Sequence, residues 1–110
     1  MTDWNKVYGY QKNAYVQSFP VTSFELTGLN YYINTIKTIN VGDILDMDYE
    51  PTNQYDNTAI CVKNNTNICG YVAKDIKEKI KQYVPSKVKV IEKRLIKSNT
   101  YRIRVDIEFT

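Results

Sequence analysis

The chain contains no histidine. That removes the side chain that most often acts as a general base near neutral pH and most often ligates a metal. It has two cysteines, Cys61 and Cys69, too few for a disulfide framework or a zinc site. Its four glycines build no phosphate-cradling loop, and no Ser/His/Asp or Cys/His set is available for nucleophilic catalysis. No apolar run approaches the ~18 residues a membrane-crossing helix needs. Residues 1–6 lack the basic-then-apolar layout of a secretion signal. The expectation is a non-enzyme, without metal or cofactor, in the cytoplasm.

What remains is a chain of 110 residues, enough for one domain with a modest core. Hydrophobic residues make up 43%, which argues for a packed interior over disorder. Tyrosine stands out, with ten residues against three phenylalanines and one tryptophan. A tyrosine offers a stacking face and a polar tip, so it suits either a small core or a wet binding surface. The net charge of +3 conceals an asymmetry. Residues 1–60 carry three lysines against seven acids, a net of −4, and residues 61–110 carry twelve Lys and Arg against five acids, a net of +7. A basic half points to a polyanion or, more plainly, to solubility.

Residues 1–20, with Trp4, Tyr8, Tyr10 and Tyr15, read either as an N-terminal arm or as the first element of the same domain, which continues over 21–110. From Thr22 the pattern becomes regular. Phe24, Leu26 and Gly28 alternate with Glu25 and Thr27, as in a half-buried strand that Tyr31 and Tyr32 close. Leu45, Met47 and Tyr49 alternate with Asp46, Asp48 and Glu50, a second strand with an acidic outer face, ended by Pro51. Two short β-rich runs, 59–63 and 68–72, flank the turn Asn64-Asn65-Thr66-Asn67. A turn centred near Asn65 would set Cys61 opposite Cys69, where a disulfide is conceivable but unexpected in the cytosol. Residues 74–84 form the helix: Ile76, Ile80 and Tyr83/Val84 recur at helical spacing, Asp75 lies at the start, and Pro85 stops it. Val88, Val90, Glu92 and Arg94 begin a strand that changes face in its second half. Tyr101, Ile103, Val105, Ile107 and Phe109 line one side of the last strand. The fold class expected is mainly β with one or two helices (α+β), a small, partly open OB-like or SH3-like barrel of five to six strands.

Two clusters carry chemistry. Asp46, Asp48 and Glu50 share a strand face and could hold a hard cation, although an outward acidic edge that discourages strand addition fits them better. The segment 53–57, Asn-Gln-Tyr-Asp-Asn, packs an aromatic ring, a carboxylate and two amides into one short loop, enough hydrogen-bonding capacity to grip a sugar and a base.

The run Gly28-Leu29-Asn30-Tyr31-Tyr32, then Gly42-Asp43, then Glu50-Pro51-Thr52-Asn53-Gln54-Tyr55-Asp56-Asn57-Thr58-Ala59-Ile60, then Gly70-Tyr71-Val72-Ala73-Lys74 closely resembles the HIRAN domain in order and spacing. That resemblance implies an OB-like barrel that grips the 3′-hydroxyl end of single-stranded DNA. It implies that Tyr31 and Tyr55 flank the terminal base, with Tyr32 in the same motif, and that Asp56 accepts a hydrogen bond from the 3′-hydroxyl while Asn53 shapes the loop. Tyr71 and Lys74 would meet backbone phosphates, and Tyr101 falls near a further aromatic under the penultimate base. A carboxylate beside the sugar would favour a free hydroxyl over a phosphorylated end, and Lys74 at a helix start would help seat a phosphate. The chain departs from the family pattern at Asn30, where Arg is common, and at Gln54 and Thr58. The partners implied are single-stranded DNA and a helicase or nuclease. The alternative is a protein-interaction module, such as a phage-borne modulator of host nucleic-acid machinery.

Overall fold

The computed structural model describes residues 21–109. Trp4, Tyr8, Tyr10 and Tyr15 lie outside the described residues. Six antiparallel strands hydrogen-bond in the order β1-β4-β3-β2-β5-β6: β1 (Ser23–Thr27), β2 (Ile44–Tyr49), β3 (Ile60–Asn64), β4 (Asn67–Val72), β5 (Ser86–Lys97) and β6 (Thr100–Glu108). The expected curl goes to completion, because β1 pairs with both β4 and β6 and the sheet closes on itself. Alternation within each strand sends one set of side chains inward. Phe24 and Leu26, Leu45 and Met47, Val88 and Val90, and Ile103, Val105 and Ile107 meet there in one core. Tyr49, expected on that face, lies at the end of β2 and is exposed. At the far end of β6, Phe109 is also exposed and packs edge-on against Tyr83.

Tyr31 and Tyr32 do not extend β1. Gly28 takes a left-handed conformation (φ 71°) and turns the chain into a 3₁₀ turn, Leu29–Tyr32, that runs into a short helix α1 (Ile33–Ile36). Leu29 and Ile36 drop into the core, so the turn is held against the barrel. Its seat is Gly70 of β4. A Cβ there would stand 2.8 Å from both the Leu29 Cδ2 and the Thr27 carbonyl oxygen.

The β3–β4 hairpin corrects one expectation. Asn64 pairs with Asn67, and Asn65 takes a left-handed φ of 59°, so the turn is where the sequence places it. The Asn64–Asn67 pairing alone would set Cys61 opposite Gly70, and a register shift between Val62 and Lys63 moves it one residue further, so Cys61 faces Tyr71 instead of Cys69. Both cysteines are free and buried. Burial raises both thiols above their ordinary range, Cys69 to about 11, so neither presents a reactive thiolate.

The helix α2 (Lys74–Ile80) is shorter than its sequence pattern and ends in a 3₁₀ turn, Lys81–Tyr83. Ile80 is buried, and Ile76, Tyr83 and Val84 pack against the core as their spacing implies. β5 shifts register between Val90 and Glu92, where the sequence changes face. No helix among the described residues is long and apolar enough to cross a membrane.

Candidate functional site

Pro51 ends β2 and begins a loop built from two reverse turns. The Asn53 N–H donates to the Glu50 carbonyl, and the Ala59 N–H donates to the Asp56 carbonyl. Two side chains fix the path between them. The Asn53 Oδ1 accepts the N–H groups of Tyr55 and Asp56 at 2.9 and 3.0 Å. The Asp56 Oδ1 accepts the Thr58 N–H at 2.9 Å and the Thr58 hydroxyl at 2.6 Å. These are local side-chain-to-backbone bonds of the kind that suits Asn and Asp to turns. With its neighbours tied down, the Tyr55 ring projects from the loop 95% exposed.

Beneath the loop, Glu50 joins three segments. Its Oε1 accepts from the Asn53 Nδ2 at 2.8 Å and from the Tyr71 hydroxyl at 2.7 Å. Tyr71 also meets Tyr32, hydroxyl to hydroxyl at 3.3 Å, with ring centroids 6.0 Å apart. Burial, with these two hydrogen bonds, pushes the Tyr71 phenol well above its ordinary range, so it stays a neutral donor. The strand therefore carries no three-carboxylate cation site. Asp46 pairs with Lys87, the Asp48 carboxylate accepts the Tyr49 N–H, and Glu50 turns under the loop. Among the described residues, no group of three or more His, Cys, Asp or Glu could hold a metal ion.

The loop, the Tyr31–Tyr32 turn, the ends of β1 and β4 and the start of α2 enclose a cleft of about 650 Å³, within the range of ligand pockets. Tyr31, Tyr32, Asn53, Tyr55, Asp56, Tyr71 and Lys74 all line it. Tyr31 is 86% exposed and the Tyr31 and Tyr32 rings meet edge-on at 6.5 Å, so the cleft offers open aromatic faces. Tyr101 does not line it. That ring packs against the core with the Lys93 ammonium 5.1 Å from its centroid, while Lys93 donates to the carbonyls of Ile36 and Ile39.

Sequence reasoning missed two members of this site. Alternation puts Glu50 on the outer face of β2, although its place before Pro51 and three residues ahead of Asn53 marks a turn start. Lys77 falls off the apolar spacing of the helix, so that spacing gives it no role. It lines the cleft one turn beyond Lys74, and its Nζ lies 2.9 Å from both the Asp56 Oδ2 and the Thr58 Oγ1. The i, i+3 spacing from Lys74 was the available signal. Hydrogen bonds from the Thr58 hydroxyl, Lys77 and the Thr58 N–H hold the Asp56 carboxyl well below the usual carboxylate range. The helix itself has only seven residues, so positive charge in the cleft comes from Lys74 and Lys77 rather than from a long helix dipole.

A closed six-stranded barrel with an open cleft of tyrosines and lysines is the architecture of a small binding domain. The HIRAN domain family model matches residues 20–110, and the chain belongs to that family, whose members are DNA-binding modules. The fold is also shared by a crystal structure of a protein from Lactobacillus plantarum, 21% identical, with a TM-score of 0.55 over 81% of this chain and 94% of that one. A search of curated proteins returned no match.

Proposed function

We propose that this protein is a single-stranded DNA-binding module that seats a free 3′-hydroxyl end in the Tyr31–Tyr55 cleft, serving DNA repair, replication or mobile-element biology in the cytoplasm. The supporting observation is convergence. Tyr31, Tyr32, Asn53, Tyr55, Asp56, Tyr71 and Lys74, from separated stretches of the chain, line one open cleft, and they are the residues the family resemblance singles out apart from Tyr101. The exposed rings of Tyr31 and Tyr55 flank the last base, a contact worth ~1–3 kcal/mol per base and tolerant of base identity. Asp56 is oriented for the terminal sugar. Its Oδ1 is occupied by Thr58, while its Oδ2 holds one bond, from Lys77, and has room for a hydroxyl donor. Tyr71 and Lys74 meet the backbone, Lys74 as the charged contact. A helicase or nuclease is the kind of partner such a module would direct to DNA ends.

The test is fluorescence anisotropy with one oligonucleotide in linear and circularised form. The linear form should bind at least about tenfold more tightly, a difference of about 1.4 kcal/mol. The substitution Tyr55→Ala should weaken it by ~1–3 kcal/mol, with the melting temperature unchanged because the ring touches solvent. Equal affinity for both forms would remove end recognition, and failure of both to bind would remove the DNA reading.

A further inference from the structure

The charged residues lining the cleft are Asp56, Lys74 and Lys77. A lone carboxylate beside a terminal sugar would repel a phosphate placed there. Here the Asp56 carboxylate is not alone, because the Lys77 ammonium sits 2.9 Å from its Oδ2 with its side chain only 13% exposed. The pair is neutral, and with Lys74 the lining carries a net positive charge. Lys77 uses two N–H donors, on the Asp56 Oδ2 and the Thr58 Oγ1, and an ammonium has three. The third remains for a ligand. Because two acceptors already hold the long side chain in place, it needs little further ordering to meet an anion.

From this geometry we infer that the cleft accepts a 3′-phosphate terminus as well as a 3′-hydroxyl, and that Lys77 sets this tolerance. The inference rests on the proposal that the cleft takes a single-strand end. A hydroxyl donates to the open side of the Asp56 Oδ2, whereas a terminal phosphate accepts from the Lys77 ammonium and is drawn by Lys74. Lys77 is thus a specificity-determining residue. It converts an acid that would sort termini by charge into one half of a neutral pair.

Two oligonucleotides of one sequence, ending in 3′-hydroxyl and in 3′-phosphate, test it by anisotropy at fixed salt. The unaltered protein should bind both within about threefold. Lys77→Met should weaken the phosphate end about tenfold more than the hydroxyl end, the size expected for one lost hydrogen bond to a charged group, and Lys77→Arg should restore the ratio. The ratio is the informative quantity, since a general loosening of the loop would weaken both ends together. Lys77→Gln, which keeps two N–H donors for Asp56 and Thr58, repeats the comparison if the Met variant melts early. Rejection of the phosphate end by the unaltered protein, tenfold or more, overturns the inference while leaving end binding intact. An unchanged ratio in both Lys77→Met and Lys77→Gln overturns it as well. Absence of binding to either oligonucleotide overturns it together with the end-binding proposal.

Discussion

Asp56 combines two roles that usually compete. Its Oδ1 is committed to the Thr58 turn, and its Oδ2 faces Lys77. Because those bonds stabilise the charged form, the folded-state pKa is depressed below the ordinary 3.8. The sign follows directly. As pH falls, the unfolded chain takes up the proton first, so the stabilisation is fully present above about pH 4. It is lost progressively as pH falls below that point toward the lower folded-state value. Denaturant titrations at pH 6 and at successive values below 4 should therefore show a steeper loss of stability in the unaltered protein than in Asp56→Asn, which has no proton to gain. Equal pH slopes in the two proteins would mean that the Thr58 and Lys77 contacts do not persist in solution. Much of this residue's setting was legible in sequence, since an Asp two residues before a Thr in a turn suggests self-capping. Lys77 was not, because its partner is 21 positions away and only folding brings α2 under the loop.

Among the elements, the strands and the helix were readable because each has a period. The inward sets of β1, of β5 as far as Val90, and of β6 follow strict alternation, and α2 follows its apolar spacing. The 3₁₀ turn at Leu29–Tyr32 has no such signal, being one turn long and ending in two tyrosines, which favour strands. Register was equally hidden. The turn residues place the β3–β4 hairpin, but its exact centre between Asn65 and Thr66 and the bulge after Val62 each move Cys61 one residue along β4, from Cys69 to Gly70 and then to Tyr71, and neither carries a sequence signal. One position reports on the junction between these elements. Gly70 leaves the space into which Leu29 and the Thr27 carbonyl press, each 2.8 Å from where a Cβ would stand. The Thr27 oxygen is backbone and cannot swing aside. Gly70→Ala should therefore destabilise the fold by about 1–3 kcal/mol, the range for overpacking a filled site, measured by urea denaturation. DNA affinity should fall with it, because the displaced turn carries Tyr31 and Tyr32. A neutral effect on stability would show that the turn is not seated on β4.

Among the described residues, folding brings the acidic and basic halves of the sequence side by side. Acidic β2 lies beside basic β5, with Asp46 paired to Lys87, and Glu25 of β1 meets Arg102 of β6. Cross-strand pairing sets charges of the acidic first half beside charges of the basic second half at these places in the barrel. The cleft is different, because its two lysines outnumber its one carboxylate. If DNA binding draws its electrostatic part from this cleft, the salt dependence must be shallow. For a single strand the slope of log K against log salt is about −0.7 per phosphate neutralised, so with a hydroxyl-ended strand the one charged backbone contact, at Lys74, gives about −0.7. Lys74→Ala should reduce the magnitude of the slope by about 0.7. Tyr55→Ala should lower affinity at every salt concentration and leave the slope alone, since stacking releases no counterions. Titrations between 50 and 200 mM salt, a range over which multi-contact binders change strongly, separate the two effects. A much steeper slope in the unaltered protein would place additional phosphate contacts outside the cleft. A slope that Lys74→Ala leaves unchanged would show that the strand does not pass along α2.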